Sequence, residues 1–454
     1  MDPPTRKKKP IEKLLDLIVG HATLLSYVLL AAGVVGFGAL PLLERNISFD
    51  ENALLAGSAR PTIRQQSPDA FSAAAKLSDA LASAFRTPAF RDKLRRALDR
   101  AGLEVYEQPF AVRPPGFGGR SGGGGGGGGE LLCSNLHAVL RSPRGDGKES
   151  IVLVTPVTLQ PFAADFNQTA AGAALAVSTV HALLLHLRGA PWLAKDVIWV
   201  ISDASCGLVE GVAAWVAEYQ QTPGPSNVRS LPPPAPGAAA PGAAPFGRAG
   251  VMQQAIVLEA AVGDLDAIEF PLPGYDGQLP KLDMYWLLKY YASAYVRAAH
   301  VDEPPAPPPA PLRALAAAAA RAAGPAAGAA ALGHLQRAAA VAAFAWRQAR
   351  GLPLGAHAPF KTASADAATL RLLRLGGSSG AAAAAAAAAP PLPSAAARPQ
   401  LAEALELSVR SCSVLIEKFH HSFFLYVLVS ARTFLSVDQY IGVVVAPILV
   451  LVLQ

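Results

Sequence analysis

Metal-assisted hydrolysis needs three or four carboxylate, imidazole or thiolate ligands converging on one point, with a further carboxylate as general base. In this chain of 454 residues few acids and bases are placed to attempt it. Asp203 closes an apolar run in Ser202-Asp203-Ala204-Ser205-Cys206-Gly207, a pattern that equally suits a turn or a helix cap. Asp165 lies in a loop ahead of an apolar helical pattern. Glu259, within AIVLEAAVG (255–263), is the one residual candidate for a metal ligand, and backbone hydrogen bonding at a sheet edge would use it as well. His181 and His186 are five apart, so one helix face does not present both as HExxH requires. They read as core or surface histidines, as does the pair His420-His421. Cys206 has no neighbouring motif that names a histidine partner, and GxSxG is absent. The glycine run 122–129 satisfies GxGxxG only trivially, since no strand leads closely into it and no helix opens on it. No catalytic set, metal site or cofactor site assembles from these residues.

The elements that must carry them are clearer. IVLVT (151–155) and DVIWVIS (196–202) are β-rich apolar runs, and Thr169–Leu187 between them has helical spacing. Two buried strands joined by a helix imply a right-handed crossover and a parallel sheet. GLVEGVAAWVAEY (207–219) continues as a helix, and AIVLEAAVG supplies a third strong strand. GLEVYEQPF (102–110) and NLHAVLRSP (135–143) predict two more strands, preceded by amphipathic helices over 71–85 and 91–101 with Gly102 as a C-cap. Helices are expected in 274–291, 332–350 and 401–419.

Composition adds topology. Charged residues make up 16% of the chain, the net charge is +6, and Arg6, Lys7, Lys8 and Lys9 supply four of the positive charges. No distributed basic face with interleaved aromatics is present, so nucleic acid is not an expected partner. From Leu17 to Leu43 there is no Asp, Glu, Lys or Arg, which exceeds the ~20 residues that span a bilayer core. With the basic tail 1–16 on the cytosolic side, the residues after this segment become luminal or extracellular. Of two glycosylation sequons, Asn46 sits almost at the membrane surface, which leaves Asn167 as the better acceptor. Cys133, Cys206 and Cys412 allow one bridge and one free thiol in an oxidising lumen, with the pairing open. Segments 122–129, 231–245, 303–328 and 381–393 read as low-complexity insertions, and 419–454 as an interfacial helix running into a membrane region inside which the chain stops.

Eight stretches, in order, resemble the Gaa1 family of GPI transamidase subunits. They include DENALLAG (50–57), WLAKDVIWVISD (192–203), GVAAWVAEY (211–219), GQLPKLDMYWLL (277–288), GAHAPFKTASADAATLRLL (355–373) and LIEKFHHSFFLYVL (415–428). The resemblance implies a luminal domain over 44–418. That domain would be three-layered, α/β and similar to zinc aminopeptidases, with a central mixed, mostly parallel sheet behind one transmembrane helix (17–43). It also implies an endoplasmic reticulum membrane subunit that supports GPI-anchor attachment without being catalytic. Its partners would be the caspase-like catalytic subunit and its companions, the GPI lipid, and precursors bearing a C-terminal signal. Carried over by position, the peptidase ligands fall near Pro156, Val157 and Gln168 and on Ala204 and Ser205, while Glu259 matches a later carboxylate. The alternative is a metal-dependent amide-forming or amide-cleaving enzyme on the same fold, with Glu259, Asp203 and Asp165 as its best residues.

Overall fold

The computed structural model describes residues 19–50, 60–113, 129–160, 166–232, 246–300, 310–374, 391–415, 419 and 421–453. Asp165, His420, the basic tail 1–16 and most of the four proposed insertions lie outside these residues. The chain forms two compact units. One comprises 1–47, 305–346 and 425–454; the other comprises 48–304 and 347–424.

In chain order the elements begin with α1 (Ala22–Ala39), β1 (Arg45–Asn46), α2 (Ile63–Gln66), α3 (Pro68–Ala82) and α4 (Pro88–Arg100). Strands β2 (Glu104–Val112), β3 (Leu131–Leu140) and β4 (Glu149–Val157) precede α5 (Ala170–Leu187), β5 (Asp196–Asp203) and α6 (Glu210–Gln220). Then come β6 (Val228–Ser230), β7 (Val251–Ala260), β8 (Ala267–Glu269), α7 (Leu282–Tyr295) and β9 (Ala299–His300). The chain finishes with α8 (Ala310–Ala323), α9 (Pro325–Ala349), α10 (Ala358–Thr362), β10 (Asp366–Leu373), α11 (Ser394–Val414), β11 (Tyr426–Leu428), β12 (Thr433–Ser436) and α12 (Val437–Leu453).

The larger unit is a three-layer α/β fold. Its nine-stranded sheet runs β6-β2-β3-β5-β4-β7-β10-β8-β9. The central four strands, β5, β4, β7 and β10, are mutually parallel, and antiparallel pairs flank them. Side chains alternate across the pleat. Ile151, Leu153, Trp199 and Ile201 face one layer, where residues of α3, α4, α5, α7 and α11 join the same apolar cluster. Val152, Val154, Ile198 and Val200 face the other, against Trp215 of α6 and Phe360 of α10. Helix α5 is apolar and long enough to cross a membrane, but its 83% burial makes it the core helix of the β4-α5-β5 crossover. Thr169 caps it by accepting from the Gly172 amide. Gly172 admits a close approach to the end of β7, for a Cβ there would stand 2.7 Å from the Ala260 carbonyl oxygen.

In the smaller unit, α1 continues through a 3-10 turn as one apolar stretch, Ala22–Leu43, long enough to span a bilayer. It packs along α12 through small residues: a Cβ at Gly36 would meet Val443 at 2.9 Å, and one at Gly33 would meet Pro447 at 3.4 Å. A short antiparallel sheet, β1-β12-β11, completes the unit.

Two expectations are corrected here. Residues 310–323, read as part of a Pro/Ala insertion, are the helix α8. Alanine is the best helix former, and prolines occur only ahead of the uninterrupted alanine run. The interfacial helix expected from residue 419 is instead the hairpin β11-β12 over 426–436. Its β-branched and aromatic residues flank a turn where the Ser430 and Thr433 hydroxyls meet at 2.7 Å.

Candidate functional site

The parallel strands β4, β5 and β7 end together, and the residues singled out in the sequence gather there. Pro156 and Val157 close β4 opposite Ser202 and Asp203 of β5. Neither Pro156 nor Val157 carries a donor atom for a metal.

Gln168 stands at the mouth of α5 and is 2% exposed. Its Oε1 accepts from the Thr158 amide at 2.9 Å, while Nε2 donates to the carbonyls of Ala260 at 2.9 Å and Pro156 at 3.2 Å. One carboxamide therefore ties together the ends of β4 and β7 and the start of α5. The task needs a side chain that both donates and accepts, which an ionised carboxylate does not.

The turn after β5 is held as closely. Asp203 is fully buried; its Oδ1 accepts from the Ser205 amide at 3.1 Å, and its Oδ2 from Arg91 of α4 at 2.8 Å. The Ser134 amide lies at 3.4 Å from the same Oδ2. Asp203 is thus a turn cap and an ion-pair partner. Its own amide donates to Asn135 Oδ1, and Asn135 Nδ2 donates to Gln108 and to the Gly211 carbonyl. Ala204 is fully buried, and the Ser205 hydroxyl accepts from the Gln160 amide at 2.8 Å. Cys206 is bonded to Cys133 of β3, which resolves the pairing the sequence left open, and Cys412 is the buried free thiol. Burial pushes the Cys412 thiol up to about 12, which makes it a core residue with no thiolate character at neutral pH.

Glu259 is fully buried on β7, and the β10 register sets Arg371 directly opposite it. Its Oε2 accepts from Arg371 Nε at 2.6 Å, and its Oε1 from the Ala356 amide at 2.8 Å. Arg371 also reaches Glu269 and the Leu354 carbonyl. Burial alone would lower the Arg371 pKa; Glu259 and Glu269 overcome it and hold the guanidinium more firmly charged than usual. A cation placed at Glu259 would face that guanidinium.

These donors do not fit a zinc ion. Zinc sites use three or four protein ligands, and here the Gln168 amide is committed to three backbone groups and Glu259 to an arginine and an amide. Among the described residues, no three His, Cys, Asp or Glu side chains cluster as a metal site would. His186 makes a different contact set, with Thr62, Ser67 and Glu406. Burial lowers His181 to about 4. Asn167, beside Gln168, is exposed.

Sequence reasoning missed three residues that organise this region: Arg91, Arg371 and His357. Arg371 carried a signal, being a charge inside the apolar run TLRLL (369–373). His357 is fully buried between Thr369 Oγ1 at 2.9 Å from Nδ1 and the Leu272 carbonyl at 2.9 Å from Nε2. Since a carbonyl only accepts, Nε2 carries the hydrogen and Nδ1 accepts from the Thr369 hydroxyl. Burial pulls this imidazole down to about 4.

A glutaminyl cyclase from Fimbriiglobus ruber is 13% identical and covers 76% of this chain and 96% of its own, at a TM-score of 0.37. A zinc aminopeptidase from Bacillus subtilis is 9% identical and covers 76% and 93%, at a TM-score of 0.38. Likenesses this distant say nothing about chemistry. In sequence, the GPI transamidase component gaa1 of Schizosaccharomyces pombe is 24% identical over 432 residues, 92% of this chain. The chain spans 61% of that relative's length. The family model described as Gaa1-like, GPI transamidase component, matches residues 133–454. By that match the chain belongs to the Gaa1-like family of GPI transamidase components.

Proposed function

We propose that this chain is a non-catalytic membrane subunit of the GPI transamidase complex of the endoplasmic reticulum. In this reading its α/β domain lies in the lumen and presents the GPI lipid or the precursor protein to a separate, caspase-like catalytic subunit. The observation that carries the reading is the state of the strand ends. Where the resembling peptidases hold metal, this chain has Pro156, Ala204, a glutamine engaged with three backbone groups and a carboxylate neutralised by Arg371. Such a site binds its own backbone rather than a reacting group.

Two further observations support the luminal placement. The Cys133–Cys206 bridge suits an oxidising compartment, and the sequon at Asn167 is exposed. The apolar stretch Ala22–Leu43 suits a membrane anchor.

The experiment is affinity purification of the full chain from digitonin-solubilised membranes. Co-purification of a caspase-like protein and its companions is the expected result. A fully membrane-incorporated chain that purifies alone would overturn the reading. Cells lacking the protein are expected to lose GPI-anchored proteins from their surface, and unchanged surface levels would count equally against it.

A further inference from the structure

Residues 310–346 belong to the smaller unit, with α1 and α12, and not to the α/β domain. They form a helical hairpin. Helix α8 stops at Gly324, whose φ of 91° suits a left-handed cap, and α9 turns back from Pro325. Gly328 seats one helix closely on the other, for a Cβ there would run into Ala320.

Two contacts fix the level of α9 against the apolar stretch Ala22–Leu43. His334 Nε2 donates to the Gly38 carbonyl at 2.7 Å, and Arg337 Nε lies 3.7 Å from Glu44 Oε1. Glu44 is the first charged residue beyond the stretch. Gly38 stands five residues before Leu43, roughly 8 Å along a helix axis. An interfacial helix buries its apolar face about 5–10 Å into the boundary between headgroups and acyl chains. With α1 crossing a bilayer, His334 is at that depth.

The surface of the hairpin suits such a level better than water. Soluble surfaces carry roughly 25–35% charged residues, whereas over 310–346 the charged side chains are Arg313, Arg321 and Arg337 alone. At about 100° per residue, Leu312, Leu315, Ala319 and Ala322 share one face of α8, and Arg313 and Arg321 lie on the other. Leu315 is 66% exposed, and Trp346, near the end of α9, is 69% exposed. Indole is a side chain that collects at membrane–water boundaries. Both arginines are exposed, so their stems are free to lie along apolar surface while the guanidinium heads reach lipid phosphates.

We propose that the α8–α9 hairpin lies in the headgroup layer of the bilayer that α1 crosses, with the Leu312–Leu315 face towards the acyl chains. The contact of His334 with the apolar stretch is what makes the occupant of that face lipid. A spanning helix alone leaves its unit free to tilt, and a hairpin held in the interface removes that freedom. The assignment rests on the reading of α1 as an anchor and adds an in-plane attachment beside it.

The test uses the full chain in phospholipid nanodiscs, with an environment-sensitive dye on single introduced cysteines. Cys412 is buried and Cys133 is bonded to Cys206, so dye added without reductant reports the introduced thiol. A label at Leu315→Cys is expected to emit as in an apolar medium. Lipids carrying a nitroxide near the top of the acyl chain should quench it several-fold more than a label at Arg321→Cys. A label at Val28→Cys, within α1, checks the anchor separately with a nitroxide deep in the chain. Quenching at Val28 with water-like emission at Leu315, or equal quenching at Leu315 and Arg321, would overturn the hairpin assignment and leave the anchor standing. Apolar emission at Leu315 without lipid quenching would give the face to a protein and overturn it as well. No quenching at Val28 would remove the anchor and the hairpin assignment together. Trp346→Phe needs no label: it should reduce the tryptophan quenching produced by brominated lipids, and unchanged quenching would count against the proposal.

Discussion

The strand ends and the groove beside them, lined by Arg86, Arg91, Arg95, Leu136 and Leu159, share Arg91 and differ in how their charged groups are held. At the strand ends the carboxylates and the carboxamide are answered from within, Glu259 by Arg371 and an amide, Asp203 by Arg91 and two amides, Gln168 by three backbone groups, while the Ser202 hydroxyl is buried without a hydrogen-bond partner. In the groove Arg91 pairs with Asp203 and stands 3.6 Å from Glu107, while Arg86 Nε is buried without a hydrogen-bond partner. A buried polar site that is complete holds the fold together and excludes ligands. One that is incomplete costs stability unless something outside completes it.

The hardest test of this contrast is to open the closed side. Glu259→Ala leaves Arg371 charged and mostly buried with its main partner gone, which should cost about 3–5 kcal/mol of stability. Urea denaturation of the purified chain measures it, and zinc content by mass spectrometry should stay sub-stoichiometric in both proteins. A mild variant that loses bound zinc would show that Glu259 was a ligand.

Acid provides the next largest effect. His357 is neutral in the folded chain down to about pH 4, whereas an unfolded chain takes up the proton near pH 6.5. Its contribution is fully present above pH 6.5 and falls as the pH drops from there towards 4, by about 3 kcal/mol in all. His137 and His181, also lowered to about 4 by burial, add slopes of the same sign over the same window. A urea midpoint that stays level from pH 7 to 5 would contradict the buried placement of these imidazoles. His357→Gln, which keeps a donor for the Leu272 carbonyl, should flatten part of the slope.

Gln168→Glu is a smaller change at the mouth of α5. It puts a carboxylate where the amide stands, which cannot donate to the Pro156 and Ala260 carbonyls when ionised. A loss of about 2 kcal/mol follows from leaving them unpaired. The same urea assay checks it. A stabilised variant with new zinc affinity would mean that a metal pocket lies behind the amide.

How far the sequence disclosed all this depended on the range of the interactions. The β4-α5-β5 crossover was legible because burial on both faces of a parallel sheet writes itself as continuous apolar runs. That Pro156 would close β4 beside Ser202 and Asp203 of β5 was legible too, since it needed only the ends of the two apolar runs. The Glu259–Arg371 pair was not, because the two residues are 112 apart in sequence and meet only through the β7-β10 register. Arg91 was hidden for the same reason, as one of several arginines on an amphipathic helix whose Asp203 contact is set by tertiary packing. Helix α8 was misread because a proline-rich beginning masked the alanine run behind it.

The smallest expected effect on stability checks the side of the membrane on which the contrast exists at all. Asn167 is exposed next to buried Gln168, so a glycan there would point to solvent while its neighbour holds the strand ends. Asn167→Gln should leave the urea midpoint within about 0.5 kcal/mol, the usual range for a surface change. It should also abolish the mobility shift that an endoglycosidase produces in the unaltered chain. If the unaltered chain carries no glycan while the Cys133–Cys206 bridge is found reduced in cells, the domain faces the cytosol. The luminal placement proposed above would then fall.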